Sequence, residues 1–292
     1  MVLPPIKALG TVWHVELFEP YNDHAALHGV IVNWLEEFES RYSRFRPHSW
    51  LSTLNRTGEY QKPNAQFVDI LTQALNYYDA TDGVFNIAVG ERLTQSGYDA
   101  DYSFTATGES LPVPKLSNIL DLEDNVISLQ SGSLDLGGIG KGYAIDKLAI
   151  YLQQEHDLNF FLINGGGDIY TTSDNEKPVT VTLTHPRDNN LAIGTVDLFR
   201  SGFAASSPRL RAWQDPKTGE LHNHLLTKHN AASYVVASTA TEADVWATVS
   251  CIDQNVQPPP EVYRMLINES GHVVKDTFIK LKDRLNCELY TR

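Results

Sequence analysis

The sequence predicts an α+β fold, one compact domain over residues 1–292 in which mixed or antiparallel sheets pack against helices. Three observations predict it. Two long stretches place apolar residues at helical spacing, and the remaining apolar residues fall into short runs of strand length. Those runs do not alternate regularly with helices, as a wound parallel sheet would require.

Taken in order, residues 11–18 alternate, with Trp13, Val15 and Leu17 on one side, which suits a half-buried strand. From Asp23 the period changes, and Leu27, Val30, Ile31, Trp34, Leu35 and Phe38 form one face of an amphipathic helix. A second helix carries Phe67, Ile70, Leu71, Ala74, Leu75 and Tyr78; Pro63-Asn64 opens it and Asp82-Gly83 closes it. Strands are predicted at Val126–Gln130, Asn159–Ile163 and Val179–Thr184, around a helix with Ile145, Leu148, Ala149 and Leu152 inward. Further on come strands at Ile193–Phe199 and Tyr234–Ser238, a helix from Thr241, and a strand pair near Val262–Ile267 and His272–Ile279. No repeat or long linker divides the chain, and Gln257-Pro-Pro-Pro is a stiff local loop.

With 292 residues, 42% of them hydrophobic, the chain can bury a sizeable core. A net charge of -13 without clustered Lys and Arg excludes a phosphate-backbone partner, so nucleic acid is not expected. Any phosphate bound here needs a metal ion to balance it. The first ten residues lack a basic segment followed by an apolar one, and no apolar run approaches a membrane span, so the expected location is the cytoplasm. Cys251 and Cys287 stand apart without metal-ligand spacing and read as buried structural thiols.

Four segments carry chemistry. Leu134-Asp-Leu-Gly-Gly-Ile-Gly-Lys-Gly-Tyr-Ala-Ile-Asp146 sets four glycines and a lysine between a strand and a helix, where backbone can approach a ligand closely. It is neither a P-loop nor a dinucleotide fingerprint, and a tight turn without a ligand is the alternative. Asn164-Gly-Gly-Gly-Asp168 follows an apolar strand, so it is either a second loop at the same site or a plain hairpin turn. In Thr241-Glu-Ala-Asp-Val-Trp-Ala-Thr248, Asp244 and Thr248 are four apart and share a helix face that could hold a hard cation. The competing role there is capping, with Thr241 as the N-cap and Asp244 three positions on. Ser40 to Asn55 is a basic, aromatic run that could stack on a flat ring and neutralise phosphate, or simply form a solvated helix end.

In this order the segments resemble the FAD:protein FMN transferase family, the ApbE-like proteins, whose fold is T-fold-related. Ala8-Leu-Gly-Thr11 is similar to the family's opening strand, and Ser43-Arg-Phe-Arg-Pro-His-Ser-Trp-Leu-Ser-Thr-Leu-Asn55 to the stretch after its first helix. Asp82-Gly-Val-Phe-Asn-Ile-Ala-Val-Gly90 resembles a family loop, Asp135–Asp146 its most diagnostic segment, and Asn164–Asp168 and Ala243-Asp-Val-Trp-Ala-Thr248 two more. The chain departs from the pattern after His224, where Asp-Pro and Thr-Gly are missing, and at Ala204-Ala-Ser-Ser-Pro208, where a glycine is lost.

The resemblance implies Mg²⁺-dependent cleavage of FAD, transfer of FMN to a Thr or Ser hydroxyl of a flavoprotein partner, and release of AMP. It implies that Asp244, Thr248 and the backbone carbonyl of Gly138 hold the metal. It places Leu9, Phe45, Phe85, Asn86, Asp135, Lys141 and Leu226 against FAD, and His224, with Asp244, at the transfer step. Oxygen ligands suit Mn²⁺ as well as Mg²⁺. Two other readings stay open at this point: hydrolysis of FAD to FMN and AMP, and FAD binding without chemistry.

Overall fold

The computed structural model describes residues 1–107, 111–173, 177–278 and 287–289. The chain opens with β1 (Ile6–Ala8), β2 (Thr11–Leu17), α1 (His24–Tyr42), α2 (Trp50–Thr57), β3 (Glu59–Gln61) and α3 (Ala65–Ala80). Next come α4 (Gly90–Gln95), α5 (Leu116–Ile119), β4 (Leu120–Glu123), β5 (Val126–Leu129), α6 (Gly140–His156), β6 (Phe161–Gly165) and β7 (Asp168–Thr172). After these run β8 (Val179–His185), β9 (Asp188–Leu198), β10 (Arg200–Ser206), β11 (Ala212–Gln214), β12 (Leu221–Asn223) and β13 (Ala232–Ala237). The chain closes with α7 (Ala240–Ile252), β14 (Tyr263–Ile267), β15 (Val273–Asp276) and β16 (Cys287–Leu289). Among the described residues every strand pair is antiparallel, so the α+β expectation holds with antiparallel sheets. Ile279 and the side chain of Cys287, both named from the sequence, lie outside the described residues.

Two compact units emerge: Met1–Leu35 with Lys141–Leu210 and Thr227–Arg292, and Glu36–Gly140 with Arg211–Leu226. The first is built on an eight-stranded sheet in the order β1-β2-β6-β7-β10-β13-β14-β15, with a separate β16-β9-β8 ribbon. β13 is buried along its whole length, which a strand in mid-sheet achieves only when both faces are covered. Ala232, Tyr234 and Val236 pack with Phe203, Met265 and Val181, Leu183, Val196 and Leu198 of the ribbon. Strand alternation turns Ser233, Val235 and Ala237 to the other face, and α7 packs on β10, β13 and β7. Leu27, Ile31 and Leu35 of α1 are also fully buried, and each such side chain stabilises by about 1.5–3 kcal/mol.

The N-cap of α7 lies two residues earlier than Thr241, and the helix itself begins at Ala240. Thr239, not Thr241, is the N-cap: its hydroxyl accepts from the Glu242 N–H at 3.1 Å, and Glu242 reaches back to the Ser238 hydroxyl at 2.9 Å. The carboxylate at the third helical position thus reaches the residue before the cap, a variant of the capping box, and Asp244 has no capping duty. The start of α7 lies directly over β10. A methyl group at Gly202 would stand 2.1 Å from the Thr239 carbonyl oxygen. Gly202→Ala is therefore expected to destabilise the chain by about 1–3 kcal/mol, visible as a lower denaturation midpoint.

In the second unit α2 packs on β3 and β5 of the β3-β5-β4 sheet, α3 packs on α5 and meets β3 through the Phe67 and Tyr60 rings, and the β11-β12 hairpin is added. Asn64 caps α3, as predicted, by accepting from the Phe67 N–H. At the other end Gly83, at φ 81°, donates to the Tyr78 carbonyl at 2.8 Å. α2 was missed from sequence, because the basic aromatic run read as a helix end or loop. Ser49 caps it by accepting from the Ser52 N–H at 2.9 Å, and Leu51 and Leu54 are its buried face.

Candidate functional site

In the first unit, chemistry gathers where α6 and α7 begin. β6 and β7 are joined by a two-residue turn, Gly166-Gly167, at φ 75° and 108°, so the glycine cluster is indeed a hairpin turn. A side chain at Gly166 would collide with Thr11, at 2.1 Å from its hydroxyl oxygen. The turn delivers Asp168 as the first residue of β7, 3% exposed. Lys141 Nζ lies 2.9 Å from Asp168 and 3.4 Å from Asp244, which is 4% exposed. Asp244 Oδ2 also accepts from the Gly142 N–H at 3.1 Å. Lys141 is therefore an inward-facing ammonium rather than a solvated one.

Two buried carboxylates share one ammonium in a poorly solvated place, which disfavours ionising both. Burial, and then the Asp244 charge, push the Asp168 carboxyl up to about 7, against the lowering pull of Lys141. Asp168 Oδ2 accepts no well-aligned hydrogen bond despite the nearby lysine. Thr248, 8% exposed, follows Asp244 by one helical turn. Among the described residues no three His, Cys, Asp or Glu side chains gather at metal-binding spacing. Within the first unit the carboxylate of Asp244 and the hydroxyl of Thr248 are oxygen donors one helical turn apart, and with the Asp168 carboxylate nearby their chemistry suits a hard divalent cation. The sequence reading gave Asp168 no role; its signal was its place immediately after a glycine turn.

Asp146 also lacked an assigned role. Its carboxylate accepts from the N–H groups of Ala240 and Thr241 at 2.9 and 2.8 Å, and from the Thr241 hydroxyl at 2.5 Å. Burial holds its pKa above the usual carboxylate range, against the lowering effect of those bonds. At the far end of α7 Cys251 is fully buried, and its thiol is pushed up to about 12 by desolvation, so it is a structural thiol.

The remaining candidates fall mostly in the second unit. Asp135 is ion-paired to Arg44, both side chains being 9% exposed, and accepts from the Gly137 N–H at 2.6 Å. Gly138 stands one residue further on, in the turn leading to α6. Arg44 lies over the Phe45 ring at 4.2 Å, and Phe45 stacks on Tyr102 with centroids 5.3 Å apart. Tyr98 stacks on Trp213 at 5.5 Å, and Leu226 packs against this layer. Phe85 is buried beside Tyr77, while the Asn86 amide donates to the Pro114 carbonyl at 2.9 Å. His224 Nδ1 faces the Arg211 carbonyl at 3.3 Å. A carbonyl can only accept, so Nδ1 carries the hydrogen of this contact.

Leu9, in the first unit, and Leu226 both sit in the left-handed region, at φ 51° and 53°. Leu9 occupies the first position of the β1–β2 turn, where both residues need positive φ. Leucine pays for that conformation with strain, which tends to persist at functional positions.

The aromatic layer is held by one acid. Asp215 accepts from the N–H groups of Ala106 at 2.5 Å and of Lys217 and Thr218 at 2.7 Å each, tying the 98–106 loop to the β11–β12 hairpin. Those bonds lower its pKa to about 2 in the folded chain, below the unfolded value. Its contribution is therefore present above about pH 4 and is lost as pH falls toward about 2. Near-ultraviolet circular dichroism of the Tyr98–Trp213 stack is expected to fade in that window, and Asp215→Asn to show the faded signal at neutral pH.

Among the described residues no helix is long and apolar enough to cross a membrane. The chain matches the ApbE family over residues 9–260. It is 25% identical over 295 residues to the FAD:protein FMN transferase of Klebsiella pneumoniae, covering 92% of this chain and 81% of that protein. The Escherichia coli K12 FAD:protein FMN transferase is also 25% identical, over 83% of this chain and 75% of its own length. In structure the chain is similar to the ApbE protein of Thermotoga maritima, with a TM-score of 0.78 at 20% identity over 96% and 98% of the two chains. It is likewise similar to the flavin transferase ApbE of Vibrio cholerae, at 0.72 and 17% over 100% and 97%. With six ordered motifs on one frame and a match over most of its length, the chain belongs to the ApbE family.

Proposed function

We propose that this chain, acting as one domain over residues 1–292, is a Mg²⁺-dependent FAD:protein FMN transferase. Its acceptor is a Thr or Ser hydroxyl of a partner flavoprotein, and its second product is AMP. The observation that carries the reading is that the buried Asp168 and Asp244 carboxylates share the single, partly buried Lys141 ammonium. Asp244, Thr248 and the carbonyl of Gly138 would hold Mg²⁺, which when bound supplies charge balance to a diphosphate and its departing AMP. Lys141 adds a second positive charge on the same side. Phe45 and Leu226 offer apolar surface to the flavin, and Leu9, Phe85, Asn86 and Asp135 shape the backbone and turns around it. His224 takes the proton from the acceptor hydroxyl through Nε2 as the hydroxyl oxygen bonds to the FMN phosphorus and the bond between the two phosphates breaks.

The test is AMP release from FAD, followed by chromatography with and without a flavin-accepting domain and with and without EDTA. Release that needs both acceptor and Mg²⁺ is the expected result. AMP formed equally without acceptor identifies a hydrolase, and intact FAD under all conditions identifies a binder; either overturns the reading.

A further inference from the structure

Asp244 and Thr248, the two side chains named above as metal ligands, sit on the first turns of α7, so what fixes the start of that helix fixes them. Three features do so, all within the first unit. The first intrahelical bond of α7 is donated by the Ala243 N–H, which leaves the N–H groups of Ala240, Thr241 and Glu242 to find partners outside the helix ladder. Thr239 serves Glu242, and Asp146 serves the other two. Asp146 lies four residues after Gly142 on α6, so both face α7 from the same side. At Gly142 the two helices touch backbone to backbone: a methyl group there would stand 2.4 Å from the Ala240 carbonyl oxygen. That approach lets the Gly142 N–H reach Asp244. From the other side Gly202 admits the Thr239 carbonyl.

We propose that Asp146 is a positioning residue for Asp244, clamping the first turn of α7 onto α6 so that the Asp244 carboxylate is held in one orientation for a divalent cation. This rests on the reading of Asp244 as a Mg²⁺ ligand. Asp146 touches no substrate; it acts through the helix start. Its negative charge at a helix N-terminus and its three acceptor bonds hold the turn before any ligand arrives. Without it two N–H groups lose their partners and the turn can slide past Gly142.

The experiment is calorimetric titration of the full chain with MgCl₂ alone, on wild type, Asp146→Ala, Asp146→Asn and Asp244→Ala. Leu54→Ala, in the core of the second unit, serves as a variant destabilised elsewhere. Asp146→Ala is expected to weaken Mg²⁺ binding roughly 10–100-fold, the usual consequence of losing a residue that orients a ligand. Asp146→Asn is expected to lie between it and wild type, since an amide keeps one acceptor but turns an NH₂ toward a donor. Leu54→Ala is expected to lower thermal stability without changing Mg²⁺ affinity. Should Asp146→Ala not fold, Asp146→Asn carries the test. Wild-type affinity in both Asp146 variants, with binding lost in Asp244→Ala, overturns the positioning role and leaves the metal reading standing. Binding as tight in Asp244→Ala as in wild type, or none in wild type, removes the metal reading and the proposal with it.

Discussion

Replacing Asp244 by alanine is expected to slow FMN transfer by roughly 10³-fold while leaving the fold intact. The size follows from the several kcal/mol of charge stabilisation that a divalent ion supplies, at about 1.4 kcal/mol per tenfold. The fold should survive because Asp244 is one of two carboxylates sharing one ammonium. Without it Lys141 still pairs with Asp168 at 2.9 Å, and what is lost is the hydrogen bond from Gly142 and the longer contact with Lys141 at 3.4 Å. The melting temperature is therefore expected to move by no more than about 4 °C, since about 1 kcal/mol shifts a chain of this size by a few degrees. Initial rates of AMP release, measured beside thermal denaturation of the same sample, check both halves. A variant that loses activity only in proportion to lost folded protein would mean that Asp244 serves the core and not the reaction.

Replacing His224 by alanine is expected to lower kcat by roughly 10²–10⁴-fold with little change in KM for FAD, as removal of a positioned base does. The Arg211 carbonyl accepts from Nδ1–H and so orients the ring, and the proposed reaction assigns proton uptake to Nε2. Glutamine in place of His224 restores a polar side chain of similar reach but no basic nitrogen, and it should fail as alanine does. Steady-state kinetics with saturating acceptor separate the two parameters. A rise in KM at constant kcat would assign His224 to binding FAD instead.

Much of the fold was legible because each long helix writes its own period and its own cap. α1 and α3 needed no partner to be recognised: Leu27, Ile31 and Leu35, or Phe67, Ile70 and Leu71, declare one face, and Asn64 declares a start. α2 carried similar signals in Ser49, Leu51, Leu54 and Gly58, but it is only eight residues long, and its arginines and aromatics suggested a different use. The α7 N-cap was misplaced by two residues because Thr239 and Thr241 are both plausible caps. What decided between them is Asp146, nearly a hundred residues away, which occupies Thr241. The site divides in the same way. Lys141, Asp244 and Thr248 stood out by local spacing and by family likeness. The pairing of Arg44 with Asp135, and of Lys141 with Asp168, joins segments that only the folded sheet and turns bring together. The Tyr98, Tyr102 and Trp213 layer left no periodic trace, since its members come from loops and a short hairpin.

The most direct measurement is the intact mass of an acceptor flavoprotein incubated with this chain, FAD and Mg²⁺, alongside the same acceptor with its target hydroxyl residue replaced by alanine. The account predicts that the first acceptor gains the mass of one FMN group, with AMP formed in equal amount, and that the second stays unmodified. Consumption of FAD with neither acceptor changed in mass, or equal labelling of both, would contradict it.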